Sequence, residues 1–176
     1  IKQAGSLVTD SRLRFDFNFY EPISRESLHQ IEQVVNHEIM RNTLIESSEM
    51  SLEDVKNDKN IQAVFDDKYG DVVRVVSIGD FSRELCGGTH VSMTGDIGPF
   101  RILSEGSVAS GVRRIEATTG LESVNLTAEE HEIVITLSQQ LSVRPSEIKN
   151  RIGALEGQLK QAEKKLKSLQ EKNAVS

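Results

Sequence analysis

Seven apolar residues near the end of the chain, Ile148, Ile152, Leu155, Leu159, Ala162, Leu166 and Leu169, are spaced by alternating steps of four and three. Only a helix brings such positions into one line. A strict seven-residue repeat keeps that line facing a partner helix rather than a globular core. The pattern predicts a long helix after the break at Pro145-Ser146, with its seam buried in a helical hairpin or a coiled coil. Gly153 and Gly157 weaken it by about 1 kcal/mol each relative to Ala. Just upstream, Thr127-Ala128-Glu129-Glu130 has capping-box spacing and predicts a helix that opens at Thr127 and runs to about Leu141.

The preceding residues read as α+β. In Arg12-Leu13-Arg14-Phe15-Asp16-Phe17-Asn18-Phe19 apolar and polar residues alternate strictly. This predicts a strand with Leu13, Phe15, Phe17 and Phe19 inward and the polar residues outward. Ser24 to Asn42 reads as a helix capped by Ser24, with Leu28, Ile31, Val34, Val35 and Ile39 as its apolar face. A shorter helix follows Ser51, a helical turn is expected from Ile61 to Phe65, and Asp66 to Gly70 carry turn chemistry. Val72 to Ile78 is a β-branched run and reads as a buried strand. Gly95 to Gly98 is a turn. Pro99 to Glu105 and Gly111 to Thr118 read as two strands joined by the small-residue loop Gly106 to Ser110. The expected architecture is a mixed or antiparallel sheet packed with a long helix, followed by a helical extension. Its boundaries fall at 1–121, 122–145 (a connecting helix) and 146–176.

Charge and composition narrow the function. No stretch approaches the ~20 apolar residues of a membrane span. One cysteine excludes an internal disulfide framework and fits a reducing compartment, so a cytoplasmic protein without a membrane partner is expected. Ile1 is not preceded by Met, and no secretory signal follows it, so the chain reads as a piece of something longer. The net charge of −6 is uneven. From Ser146 onward seven Lys/Arg face four Glu, so the earlier residues are strongly acidic in balance. Any nucleic-acid contact must therefore rest on local basic groups such as Arg12, Arg14, Arg113 and Arg114, which otherwise are solvated strand faces.

Cys86-Gly87-Gly88-Thr89-His90 is the most informative stretch. A thiolate and an imidazole are ligands zinc prefers, and two glycines let a tight loop bring them to one point. They are half of a tetrahedral set, however, and a buried Cys beside a strand-end His fits the spacing as well. His29 and His37 lie about 80° apart around their helix and do not complete the set. His131 reads as a surface residue.

Gly79-Asp80-Phe81-Ser82-Arg83-Glu84-Leu85 leading into that loop resembles the signature of the alanyl-tRNA synthetase editing domain. So do Gln3-Ala4-Gly5-Ser6-Leu7-Val8 followed by Arg12 to Phe17, Tyr69 to Val76, and Ser110 to Ala117. The resemblance runs from Gln3 to about Gly120, and the heptad helix stands where that family begins its C-terminal helical region. It implies the editing fold common to threonyl- and alanyl-tRNA synthetases.

The resemblance also implies hydrolysis of seryl- or glycyl-tRNA(Ala) at a zinc ion. Cys86 and His90 match two of the ligands, and a His-x-x-x-His that would precede Ile1 supplies the others. Residues 1–176 alone are then expected to hold zinc weakly and to be inactive. Gln3 and Ser6 match editing-pocket positions. They are candidates to recognise the serine hydroxyl, against a role in shaping a turn at Gly5. Backbone N–H groups of Gly87 and Gly88 are candidates to hold an oxyanion. The acceptor end of tRNA(Ala) is the implied partner. ATP and Mg2+ belong to the family's aminoacylation core, which nothing in this sequence resembles. Two other readings fit the residues: a free-standing editing hydrolase, and a non-catalytic module that self-associates through the heptad helix.

Overall fold

The computed structural model describes residues 1–61 and 70–174. The chain divides into two compact units, Ile1–Asn125 and Leu126–Ser176. The expected helical turn from Ile61 to Phe65 and most of the Asp66–Gly70 turn fall on 62–69, outside the described residues.

The first unit holds two antiparallel sheets. One has strands β1 (Gln3–Val8), β2 (Leu13–Asn18), β6 (Phe100–Ala109) and β7 (Val112–Thr119), in the order β1-β2-β7-β6. The other has β3 (Ile45–Ser51), β4 (Val72–Ile78) and β5 (Ser82–Leu85), in that order. Helix α1 (Arg25–Met40) packs on the first sheet. Ser24 caps it, its hydroxyl accepting from the Ser27 N–H, which satisfies one of the unpaired donors of the first turn. Ile39 and Val35 of α1 meet Phe100, Ala117, Leu13, Ile102 and Ile115 in one core. Val55 of α2 (Leu52–Asn57) joins Ile61, Val73 and Val75 in a second core, with Met50, Leu52 and Leu85 packed around it. The α+β class with antiparallel sheets, a long helix and a helical extension is what the alternation and periodicity predicted.

Helix α1 also closes an edge of the first sheet. Asn36 accepts from the Phe100 N–H and donates to the Phe100 carbonyl, each at 2.8 Å, while Glu32 accepts from the Ile102 N–H at 2.9 Å. These side chains do for the outer edge of β6 what a further strand would do.

Four local expectations are corrected. Phe15 is 37% exposed and Asp16 is buried, against the simple inside–outside reading of β2. The α1 core covers the face at Leu13 and does not reach Phe15, whereas Arg14 and Arg114 enclose Asp16 on the other face. Second, Gly106 to Ala109 continue β6 instead of forming a loop, because two bulges let the strand follow β7 to a two-residue turn. Gly111 in that turn has φ +70°, and a Cβ there would lie 2.8 Å from the Tyr20 ring. Third, Thr127 does not open a helix. Helix α3 (Gly120–Leu141) starts seven residues earlier, straight from the end of β7, where the Gly120 N–H bonds the Pro99 carbonyl. Fourth, β3 was not foreseen, since Ile45-Glu46-Ser47-Ser48-Glu49-Met50-Ser51 lacks a strand's apolar alternation. Its pairing with β4 along seven residues supplies what local propensity does not.

In the second unit the chain turns at Ser142, passes a 3-10 turn at Pro145–Glu147 and enters helix α4 (Ile148–Ala174). The helix is as long as the heptad requires. Leu159, Leu166 and Leu169 on its seam are 61%, 58% and 57% exposed in the single chain. No helix among the described residues is long and apolar enough to cross a membrane.

Candidate functional site

The Cys86–His90 loop leaves the end of β5. The ladder between β4 and β5 pairs Val75 with Leu85, and the Cys86 N–H continues it with a 3.2 Å bond to the Arg74 carbonyl. From the same residue the guanidinium Nη1 donates to the Gly88 carbonyl at 2.6 Å. Beyond His90 the chain is tied to the end of α1. Met93 bridges Leu44, the Ile45 N–H bonds the Ser92 carbonyl, and Thr94 Oγ1 donates to the Glu38 carbonyl while accepting from the Thr43 N–H. The loop is thus short and anchored on both sides. Cys86 is half-buried and free, and His90, Gly87 and Gly88 are exposed. Among the described residues no three His, Cys, Asp or Glu side chains converge as a metal set. Cys86 and His90 have the right donor chemistry and count for half of one.

Gln3 and Ser6 lie on β1. Register pairs Gln3 with Phe17 and Ser6 with Phe15, with one extra residue of β1 between Gln3 and Gly5. This bulge puts both side chains on the sheet face that carries Phe15 and Phe17, whose rings stack at 5.8 Å. Gly5 is therefore part of a bulged strand and not of a turn.

The four arginines are split by the pleat. Arg113 pairs with Phe17 in register and Arg114 with Asp16, so they point to opposite faces. Arg113 is buried and holds Glu105 through two of its guanidinium nitrogens, Nε on Oε1 and Nη2 at 2.8 Å from Oε2. That contact keeps the Glu105 carboxyl below its usual range against the opposing effect of burial, and raises Arg113 in turn. Arg114 grips Asp16 at 2.7 and 2.8 Å and lowers its pKa in the same way. Arg14 stands 3.7 Å from Asp16, and Arg12 3.6 Å from Glu116 with its side chain 59% exposed. The four do not form one basic patch.

Arg74 is the residue that reading the sequence passed over. Its signal was present as a lone charge inside the β-branched run Val72-Val73-Arg74-Val75-Val76.

Residues 73–116, which run from the second residue of β4 through β5, the loop and β6 into β7, match the family model of the threonyl and alanyl tRNA synthetase second additional domain. The first unit thus carries a domain of the class these two synthetases share. Over its whole length the chain is similar to alanine–tRNA ligases. It is 49% identical over 176 residues to that of Hydrogenovibrio crunogenus, which is all of this chain and 20% of that protein. The protein from Petrotoga mobilis is 48% identical over 170 residues, 97% of this chain and 19% of the relative. That from Idiomarina loihiensis is 42% identical over 174 residues, 99% of this chain and 20% of the relative. The motif-based resemblance extends from end to end: the chain is similar over its whole length to a segment of alanine–tRNA ligases, and it spans about a fifth of the length of the curated relatives it matches.

Proposed function

We propose that residues 1–176 are a segment of an alanine–tRNA ligase, and that the Ile1–Asn125 unit hydrolyses the ester of tRNA(Ala) charged with serine or glycine. The observation that carries this is the Cys86–His90 loop, anchored at both ends inside the matched domain, with no partner on the amides from Gly87 to His90 among the described residues. Cys86 and His90 would hold a zinc ion together with two histidines from outside residues 1–176. When bound, zinc supplies a Lewis acid next to an ester that needs modest activation.

This chain's own residues do the rest. The Gly87–Gly88 amides face the carbonyl oxygen as it gains charge. Gln3 and Ser6 are exposed and bonded to each other, and the Gln3 Oε1 is offered to a serine hydroxyl in a bond that alanine cannot make. Arg12, the most exposed of the four arginines, is the best placed for an acceptor-stem phosphate, and Arg113 and Arg114 serve the fold first. ATP and Mg2+ act in the aminoacylation core of the ligase, outside this segment, and the protein works in the cytoplasm. The exposed seam of α4 supports self-association as a second role of the chain.

The test is deacylation by the full-length ligase carrying this segment. Seryl-tRNA(Ala) is expected to lose its amino acid much faster than alanyl-tRNA(Ala), and His90→Ala to abolish the reaction. Equal rates for the two substrates would overturn the reading.

A further inference from the structure

We infer that Arg74 is a positioning residue: it fixes the Gly88–Thr89 peptide so that the Thr89 N–H faces the carbonyl oxygen of the substrate ester. The inference rests on the ester-hydrolysis reading and adds a further donor beside the Gly87 and Gly88 amides, together with the residue that aims it.

Three observations carry it. First, the Gly87–Gly88 pair gives the loop a backbone with almost no preference of its own, so something outside it must select one orientation. Second, Arg74 touches the loop twice, through its carbonyl to the Cys86 N–H at 3.2 Å and through Nη1 to the Gly88 carbonyl at 2.6 Å. In a planar trans peptide the carbonyl and the following N–H point in opposite directions. Drawing the Gly88 carbonyl toward Arg74 therefore turns the Thr89 N–H away from β4, and no partner takes it up among the described residues. Third, Arg83, Arg113 and Arg114 each hold a carboxylate, whereas Arg74 among the described residues holds a carbonyl and no acid. Its charge is not consumed in an ion pair and polarises the peptide it grips.

Arg74→Met keeps the stem and removes the donors, and Arg74→Lys keeps one charged donor. Both are made in the full-length ligase carrying this segment, with seryl-tRNA(Ala) as substrate and amide hydrogen exchange of the loop as a second readout. Losing an oxyanion donor costs roughly 100- to 1,000-fold in kcat, and misaiming one costs less, so Arg74→Met is expected to lower kcat roughly ten- to 100-fold with KM nearly unchanged. Arg74→Lys is expected to recover most of the loss. In Arg74→Met the Cys86 amide, which bonds the Arg74 carbonyl, exchanges faster while those of Val75 and Val76 do not. A rise in KM at constant kcat would overturn the inference, because Arg74 would then be contacting the tRNA. Unchanged kcat and unchanged loop exchange would overturn it as well, as would faster exchange along β4, which would make Arg74 a support of the sheet. Absence of deacylation in the unmodified ligase would instead sink the hydrolysis reading, visibly so because exchange would still report the clamp.

Discussion

Gln3 Nε2 donates to Ser6 Oγ over 3.0 Å, although residues three apart on a regular strand face opposite sides of a sheet. The bulge between Gln3 and Gly5 makes this possible by adding one residue to β1. The bond spends an amide N–H of Gln3 on the protein and leaves its Oε1 acceptor without a partner among the described residues.

Gln3→Ala is expected to slow deacylation of seryl-tRNA(Ala) by a few-fold to about tenfold, the size of one neutral hydrogen bond. Alanyl-tRNA(Ala) offers no hydroxyl, so its rate should not move. Parallel time courses on the two substrates are the measurement. An equal fall in both would assign Gln3 to holding the ribose or the ester.

Elemental analysis of residues 1–176 should find zinc well below one ion per chain, since Cys86 and His90 supply half a tetrahedral set. The full-length ligase should hold it stoichiometrically and lose it in Cys86→Ala. Tight zinc in residues 1–176 alone would mean that a different set of ligands is at work.

Glu105 ties stability to acid. Its carboxyl titrates below the usual 4.5, chiefly through the Arg113 guanidinium, with help from the Ile23 backbone and against burial. A lowered carboxylate stabilises the fold fully above its unfolded value and stops doing so as pH falls through the folded one. Urea midpoints should therefore drop below about pH 4.5, and less steeply in Glu105→Gln. At neutral pH, Glu105→Ala should cost roughly 3 kcal/mol by leaving a buried guanidinium unpaired.

Asn36→Leu should destabilise the first unit by about 2 kcal/mol, because the Phe100 N–H and carbonyl lose their partners at the β6 edge. Denaturant unfolding gives the number. A cost near zero would mean that water replaces Asn36 freely.

A charge placed on the α4 seam, as in Leu159→Lys with Leu166→Lys, should abolish any concentration-dependent dimer seen by sedimentation, with the circular dichroism of the sheets retained. A dimer that survives both changes would assign association to another surface.

The elements that could be read in advance are those whose own residues decide them. The heptad dictates α4, Ser24 caps α1, and the β-branched run makes β4. Residues whose state depends on distant partners were not legible. Ser47 and Ser48 lie in a strand because β4 stands beside them. Thr127 has every mark of a cap, but the helix reaches it already formed from Gly120. Of the candidate site, residue types and spacing left Cys86 and His90 open between half a metal set and a buried Cys beside a strand-end His, and only the family resemblance made them candidate ligands. The clamp from Arg74 lies fourteen residues from Gly88 in sequence and needs the β4–β5 pairing to be seen.

Arg113 and Arg114 are neighbours in β7, yet each meets its acid on a different side of the sheet, Glu105 on one and Asp16 on the other. A strand displaced by one residue turns every side chain over. Sliding β7 by one position would carry both guanidiniums away from both carboxylates at once and leave buried charges unmatched. Two consecutive arginines therefore act as a key cut on both edges, and β7 fits between β2 and β6 in one alignment.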